Sequence, residues 1–196
     1  MEPESHWHNV WTTRSPEQVG WFEAEPETRL NLIGAVAPSR ESTIVDVGGG
    51  AFLLADRLLD QGCGDVIVMD ISQAAIDVAR TRLGERADKV TWLTADARNV
   101  RLPRQVDVWH DRAVFHFLTD ETDRQAYLDS VRAALRVGGH IVVATFAPEG
   151  PDRCSGLPVQ GYDTAGLSEF FGPGFEQVRS SCPQHVTPAG AVQDYV

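Results

Sequence analysis

Residues Ser42–Leu59 read STIVDVGGGAFLLADRLL. An apolar run, Thr43–Val47, carries one acid near its end; Gly48, Gly49 and Gly50 follow, and an apolar period of helical spacing starts at once. That is how a nucleotide-binding α/β domain opens, and the question is which ligand the glycines make room for. A dinucleotide fingerprint starting at Gly48 needs a glycine at position 53, where Leu53 stands. A phosphate-binding P-loop needs G-K-[ST], which does not follow. The pattern that does fit is D-x-G-x-G, Asp46–Gly50. A carboxylate at this place repels a pyrophosphate and attracts a cation such as an ammonium or a sulfonium. The glycines offer a surface without Cβ atoms for a bulky ligand to lie on.

From that stretch outward, strand-like and helix-like segments alternate. TIVDV (43–47), DVIVMD (65–70), VTWLTAD (90–96), VDVWHD (106–111) and HIVVATF (140–146) read as buried strands. Helices are expected over 52–62, over 73–83 with Ser72 as N-cap and Gly84 past its end, and over 120–139. Five apolar runs separated by helices describe an α/β, Rossmann-like doubly wound sheet of five parallel strands with helices on both faces. The tail differs. After a short helix at 165–172, residues 175–187 and 191–196 read as two strands linked by a turn with Pro188 and Gly190. So short a link makes them an antiparallel hairpin, since a parallel return needs a crossover. No linker or repeat divides the chain, so one domain is expected: an N-terminal helical and aromatic lid (1–40), a ligand-binding core (41–146), and a loop with the C-terminal hairpin (147–196).

At 196 residues the chain is the size of one domain, which commonly runs to roughly 100–200 residues. A formal charge of −11 argues against a nucleic-acid partner, because binding phosphates needs a basic face. The start, MEPESHWHNV, has neither the basic nor the apolar region of a secretory signal, and no apolar run reaches the ~18 residues of a membrane span. A cytoplasmic protein with no membrane partner is expected. Cys63, Cys154 and Cys182 are odd in number and far apart, which fits neither a disulfide framework nor a zinc site. A three-thiolate site for a soft species such as arsenite would require the fold to gather them.

Two further acids occupy strand ends. Asp70 closes the second run, where a carboxylate can grip the vicinal hydroxyls of a ribose. Asp96, in LTADAR after the third, can accept from an exocyclic amine. In order, VDVGGG, VMDIS, TADAR and LRVGGHIVVATF resemble the motifs of class I (seven-strand) S-adenosylmethionine-dependent methyltransferases over essentially the whole chain. VDVWHDRAVFHFL is similar to a segment of thiopurine and related small-molecule methyltransferases; Phe52 stands where a third glycine often occurs. The resemblance implies S-adenosyl-L-methionine as cofactor, leaving as S-adenosyl-L-homocysteine. It places Asp46, Gly48, Gly49 and Gly50 at the methionine part, Asp70 at the ribose, Asp96 and Ala97 at the adenine, and Ile71 against the adenine face.

Methyl transfer is an in-line displacement, and a base is needed only where the acceptor must lose a proton. Asp111 and His116 follow the fourth strand and are the expected catalytic groups; His110 shares that rim and is grouped with the cofactor residues. Arg112 is expected to pair with Asp111 or hold an anionic acceptor, and Arg153, Cys154 and Tyr162 come from the long Gly- and Pro-rich loop after the fifth strand. Trp7 and Trp11, at i and i+4, share one helix face and, with Trp21 and Phe22, can roof the site. In such a roof Trp21 favours a sulfonium by cation–π attraction and Trp11 faces the acceptor. No metal is expected. A small-molecule acceptor is the first reading; a protein lysine methyltransferase and a non-catalytic cofactor-binding module are the alternatives, and a nicotinamide-dependent oxidoreductase is disfavoured by Leu53 and Asp46.

Overall fold

The computed structural model describes residues 3–196; Met1 and Glu2, at the tip of the expected N-terminal lid, lie outside the described residues. Helices α1 (Pro3–Thr13) and α2 (Glu27–Val36) precede a sheet built from β1 (Thr43–Val47), β2 (Asp65–Asp70), β3 (Val90–Thr94), β4 (Val106–Arg112) and β5 (Leu135–Ala144). All neighbouring pairs are parallel and the order is β3-β2-β1-β4-β5. The chain therefore reverses its winding beside β1, and ligands bind at such a switch point, outside the carboxyl ends of the strands.

Both sheet faces are covered. Ile44, Val66, Val68 and Val108 pack against α2 and against α3 (Leu54–Asp60). Val45, Val47, Ile67, Met69 and Trp109 pack against α5 (Glu121–Ala134) and α6 (Thr164–Phe171). Burial on both sides is why these strands read as unbroken apolar runs. Helix α4 (Gln73–Leu83) is bounded as its ends foretell: the Ser72 side chain accepts from the Ala75 N–H, and Gly84 sits past the end at φ 58°.

Three boundaries differ from the sequence reading. Helix α3 is shorter than 52–62, because the Arg82 guanidinium takes the Ala51 and Phe52 carbonyls at 2.7 Å each. Helix α5 ends at Ala134 rather than 139. Leu135 already pairs with Val106, Arg136 bonds Asp107, and Gly138 at φ 79° completes an irregular entry to β5. Residues 175–183 form no strand. Only β8 (Gln184–Val186) pairs, antiparallel, with β9 (Val192–Asp194), so the expected hairpin is present but short. It meets the sheet past the end of β5, through a Phe146–Tyr195 bridge and the paired backbones of Thr145 and Val196. A cavity of about 800 Å³ separates the outer edge of β5 from residues 174–181, so those residues have no strand to pair with. No helix among the described residues is long and apolar enough to cross a membrane.

Candidate functional site

A second cavity, of about 240 Å³, opens at the carboxyl ends of β1, β2, β3 and β4. Asp70 is its best-placed acid. The side chain is 7 % exposed, accepts from the Ser72 N–H at 2.8 Å and the Gly50 N–H at 3.2 Å, and lines the cavity. Burial dominates and pushes its carboxyl up to about 6. Ile71 and Ala97 form wall beside it. Asp96 also lines the cavity, but its two oxygens receive Arg98 Nε, Nη2 and backbone N–H at 2.5–3.0 Å. Burial works against its charge; the Arg98 contacts outweigh it and hold the carboxyl below its ordinary value. Arg98 also reaches Asp123 at 2.9 Å. Sequence reading missed this pair, although the spacing D-A-R in TADAR signals it.

The glycine loop is built differently from the expectation. Gly48, at φ 67°, lines the cavity, and a Cβ there would come within 2.3 Å of the Val114 side chain. Gly49 and Gly50 are not part of the cavity wall and face the protein instead. A Cβ on Gly49 would lie 2.1 Å from an Asp46 oxygen, and one on Gly50 2.5 Å from Ala75. Asp46 itself is 1 % exposed beneath the loop. Register pairs it with His110 on β4, and the two side chains meet at 2.7 Å through Nδ1 of the ring. Neither lines this cavity; His110 borders the larger one. The structure thus gives Asp46 and His110 to the floor of the glycine loop rather than to the cavity surface.

The two expected catalytic groups are also inward. Asp111 is fully buried and accepts from the Val114 and Phe115 N–H groups and from the Tyr127 hydroxyl at 2.7 Å. Burial raises its carboxyl. These bonds pin the turn in which Ala113 adopts φ 64°, a left-handed value that costs a non-glycine residue about 1–3 kcal/mol. That turn aims Arg112, Ala113 and Val114 into the cavity. His116 is fully buried, with its ring 4.7 Å from that of Phe146 and 4.6 Å from that of Phe117, and neither nitrogen has a partner. Burial, aided by Arg112, pulls it down to about 3. It stands outside the cavity wall.

Arg112 lines this cavity and also borders the larger one. Its Nη1 donates to the Trp21 carbonyl at 3.0 Å and its guanidinium lies 4.8 Å over the Tyr195 ring. Trp11 and Trp21 line the cavity with Trp7, in edge-on contacts of 5.7 Å (Trp7–Trp21) and 6.3 Å (Trp11–Trp21). From the long loop, strands β6 (Arg153–Cys154) and β7 (Leu157–Pro158) form a two-residue hairpin that brings Cys154, Leu157 and Pro158 to the wall. Arg153 points away, bonded to the Gly156 carbonyl, and Tyr162 packs on Phe115 in the core. Burial pushes the Cys154 thiol up to about 11. Cys63 is half-buried and Cys182 exposed, and no cluster of metal-ligating side chains exists among the described residues.

Comparison with known proteins agrees with this geometry. Residues 44–139 match a family model described as a methyltransferase domain. The ubiquinone/menaquinone biosynthesis C-methyltransferase of Paracoccus denitrificans is 30% identical over 115 residues, covering 57% of this chain and 45% of that protein. The eEF1A lysine and N-terminal methyltransferase of Bos taurus is 26% identical over 152 residues, 72% of this chain and 21% of that protein. The chain spans less than half the length of these curated relatives. In fold, it superposes on a SAM-dependent methyltransferase from Anabaena variabilis with a TM-score of 0.74, at 14% identity, over 100% of this chain and 94% of that one. Strand order, the glycine loop over Asp46, the acids at the ends of β2 and β3 and these likenesses converge on the class I S-adenosylmethionine-dependent methyltransferases: residues 44–139 carry the methyltransferase-domain match, and the described chain has their fold.

Proposed function

We propose that this protein binds S-adenosyl-L-methionine in the 240 Å³ cavity and methylates a small molecule, releasing S-adenosyl-L-homocysteine. Asp70 carries the reading. An ionised carboxylate has about four acceptor sites, and backbone N–H groups use two of them here, so two remain for vicinal ribose hydroxyls. Among the described residues no cation pairs with Asp70, which suits a neutral diol and not a phosphate. Ile71 and Ala97 supply an apolar slot for the base, and Gly48 lets the ligand lie against backbone. An exocyclic amine has to share Asp96 with Arg98. When bound, the sulfonium supplies an activated methyl group and a neutral leaving group.

Residues 3–40 and 147–196 then act as roof and acceptor side around the core. The Trp7, Trp11 and Trp21 rings exclude water and favour the positive sulfur. Arg112 at the wall disfavours a lysine acceptor, whose ammonium must enter before losing its proton. Purified protein given S-adenosylmethionine and a panel of small thiols, phenols and amines is expected to form S-adenosylhomocysteine with at least one of them. Methyl label entering lysate proteins, with no turnover of any small acceptor, would reverse the assignment.

A further inference from the structure

Among the described residues, the roofed end of the cavity has no uncommitted group that can take a proton. Besides Asp70 and Asp96, and Asp123, which pairs with Arg98 at 2.9 Å, the ionisable side chains of the wall are Arg112 and Cys154. A thiol pushed up to about 11 is uncharged at neutral pH and is no base. The neighbouring carboxylates are committed: Asp111 to Val114, Phe115 and Tyr127, Glu23 to Arg29 at 2.7 Å, and Asp46 to His110 at 2.7 Å. His116 faces Phe117 and Phe146, and His6 lies 3.1 Å from the Ser155 hydroxyl; neither borders the cavity.

The same end carries an undercompensated cation. Arg112 has five N–H donors, and its one bond here is to the Trp21 carbonyl. Glu23 lies 3.9 Å from its Nε while bonded more closely to Arg29, so two guanidinium groups share one carboxylate. The rest of that wall is Trp7, Trp21, Phe117, Leu157 and Pro158. A partly compensated positive charge in an apolar setting favours the ionised form of any acid placed beside it.

Resting on the methyltransferase reading, we propose that the acceptor is a small apolar acid (a thiol, an acidic phenol or an enol) bound as its anion against Arg112, with no protein side chain removing its proton. The proton leaves to solvent before or during binding. The anion's lone pair then forms the new bond to the methyl carbon while the carbon–sulfur bond of the sulfonium breaks. That electron pair returns to sulfur as a neutral thioether, so charges cancel and no proton remains to be moved. Arg112 would hold and orient the nucleophile, in keeping with catalysis by alignment.

The test uses chromophoric probes, para-nitrothiophenol and para-nitrophenol, with para-nitroaniline as a neutral control. Each is titrated with pH on the full protein, with and without S-adenosylhomocysteine. The bound acids are expected to ionise about one pH unit or more below their solution values. Arg112→Gln should remove that shift and weaken the acids about tenfold, leaving the aniline and S-adenosylhomocysteine within about threefold; Arg112→Lys should restore part of the shift. With turnover, the acid limb of kcat/KM should follow each acceptor's own acidity. The proposal is overturned by unshifted probes, by an acid limb at one fixed pH for all acceptors, or by Arg112→Gln weakening S-adenosylhomocysteine while sparing the probes, which would give Arg112 to the cofactor's carboxylate. Failure of S-adenosylhomocysteine to bind counts against the methyltransferase reading, whereas the probe shift in its absence still decides the role of Arg112.

Discussion

Burial moves Asp70 and His116 in opposite directions along the pH scale, since it penalises whichever form is charged. For His116 the consequence is acid lability. The unfolded chain takes up a proton near pH 6.5, while the folded ring resists until about 3. Stability is therefore full above the unfolded value and is lost as pH falls below it. Between neutrality and pH 5 the loss is about 2 kcal/mol. His116→Phe, which keeps an aromatic ring against Phe146, is expected to lack this loss, as urea unfolding at pH 7 and pH 5 will show; equal pH dependence in both proteins would mean the ring protonates freely in the fold. Asp70 and Asp96 were legible in the sequence because each follows an apolar run on the ligand-binding rim. Asp111 and His116 were not, because their inward direction follows from the left-handed turn at Ala113, which no local pattern announces.

Among elements, the loop from β1 to α3 is the most constrained. Its glycines serve packing as much as ligand access, since Gly49 rests on a buried carboxylate already held by His110. Asp46 cannot withdraw without losing that partner. Gly49→Ala is accordingly expected to cost about 1–3 kcal/mol in chemical denaturation, as overpacking does, with weaker cofactor binding alongside. A neutral substitution would show that the loop relaxes independently of Asp46. Strands β1, β2 and β4 and the caps of α4 could be read from the chain because apolar runs, Ser72 and Gly84 are local signals. The entry to β5 could not, since it depends on Leu135 finding Val106 and Arg136 finding Asp107 across the sheet. Residues 175–183 failed as a strand for the converse reason, having no edge within reach.

At the scale of the molecule, a chain of net charge −11 places a largely buried guanidinium, Arg112, where the roof meets the β4 end, and Asp70 and Asp96 where the β2 and β3 ends meet the cavity. One cavity thus has the Asp70 carboxylate, without a paired cation among the described residues, at one end and the Arg112 guanidinium at the other. The fold class and its five parallel strands were readable from the alternation of runs, and the aromatic roof from the i, i+4 spacing of Trp7 and Trp11; the contacts those rings make with Trp21, Phe52 and Phe117 needed the structure. If Asp70 grips the ribose, binding favours its ionised form, so affinity should fall once the free protein holds a proton there. Calorimetry of S-adenosylhomocysteine against pH tests this directly. Affinity is expected to be level above about pH 6 and to weaken by up to about tenfold per unit below it, with Asp70→Asn binding at least about tenfold more weakly at neutral pH and losing the dependence. Absence of binding, or an Asn variant that binds as tightly with the same pH profile, would remove Asp70 and this cavity from the cofactor site.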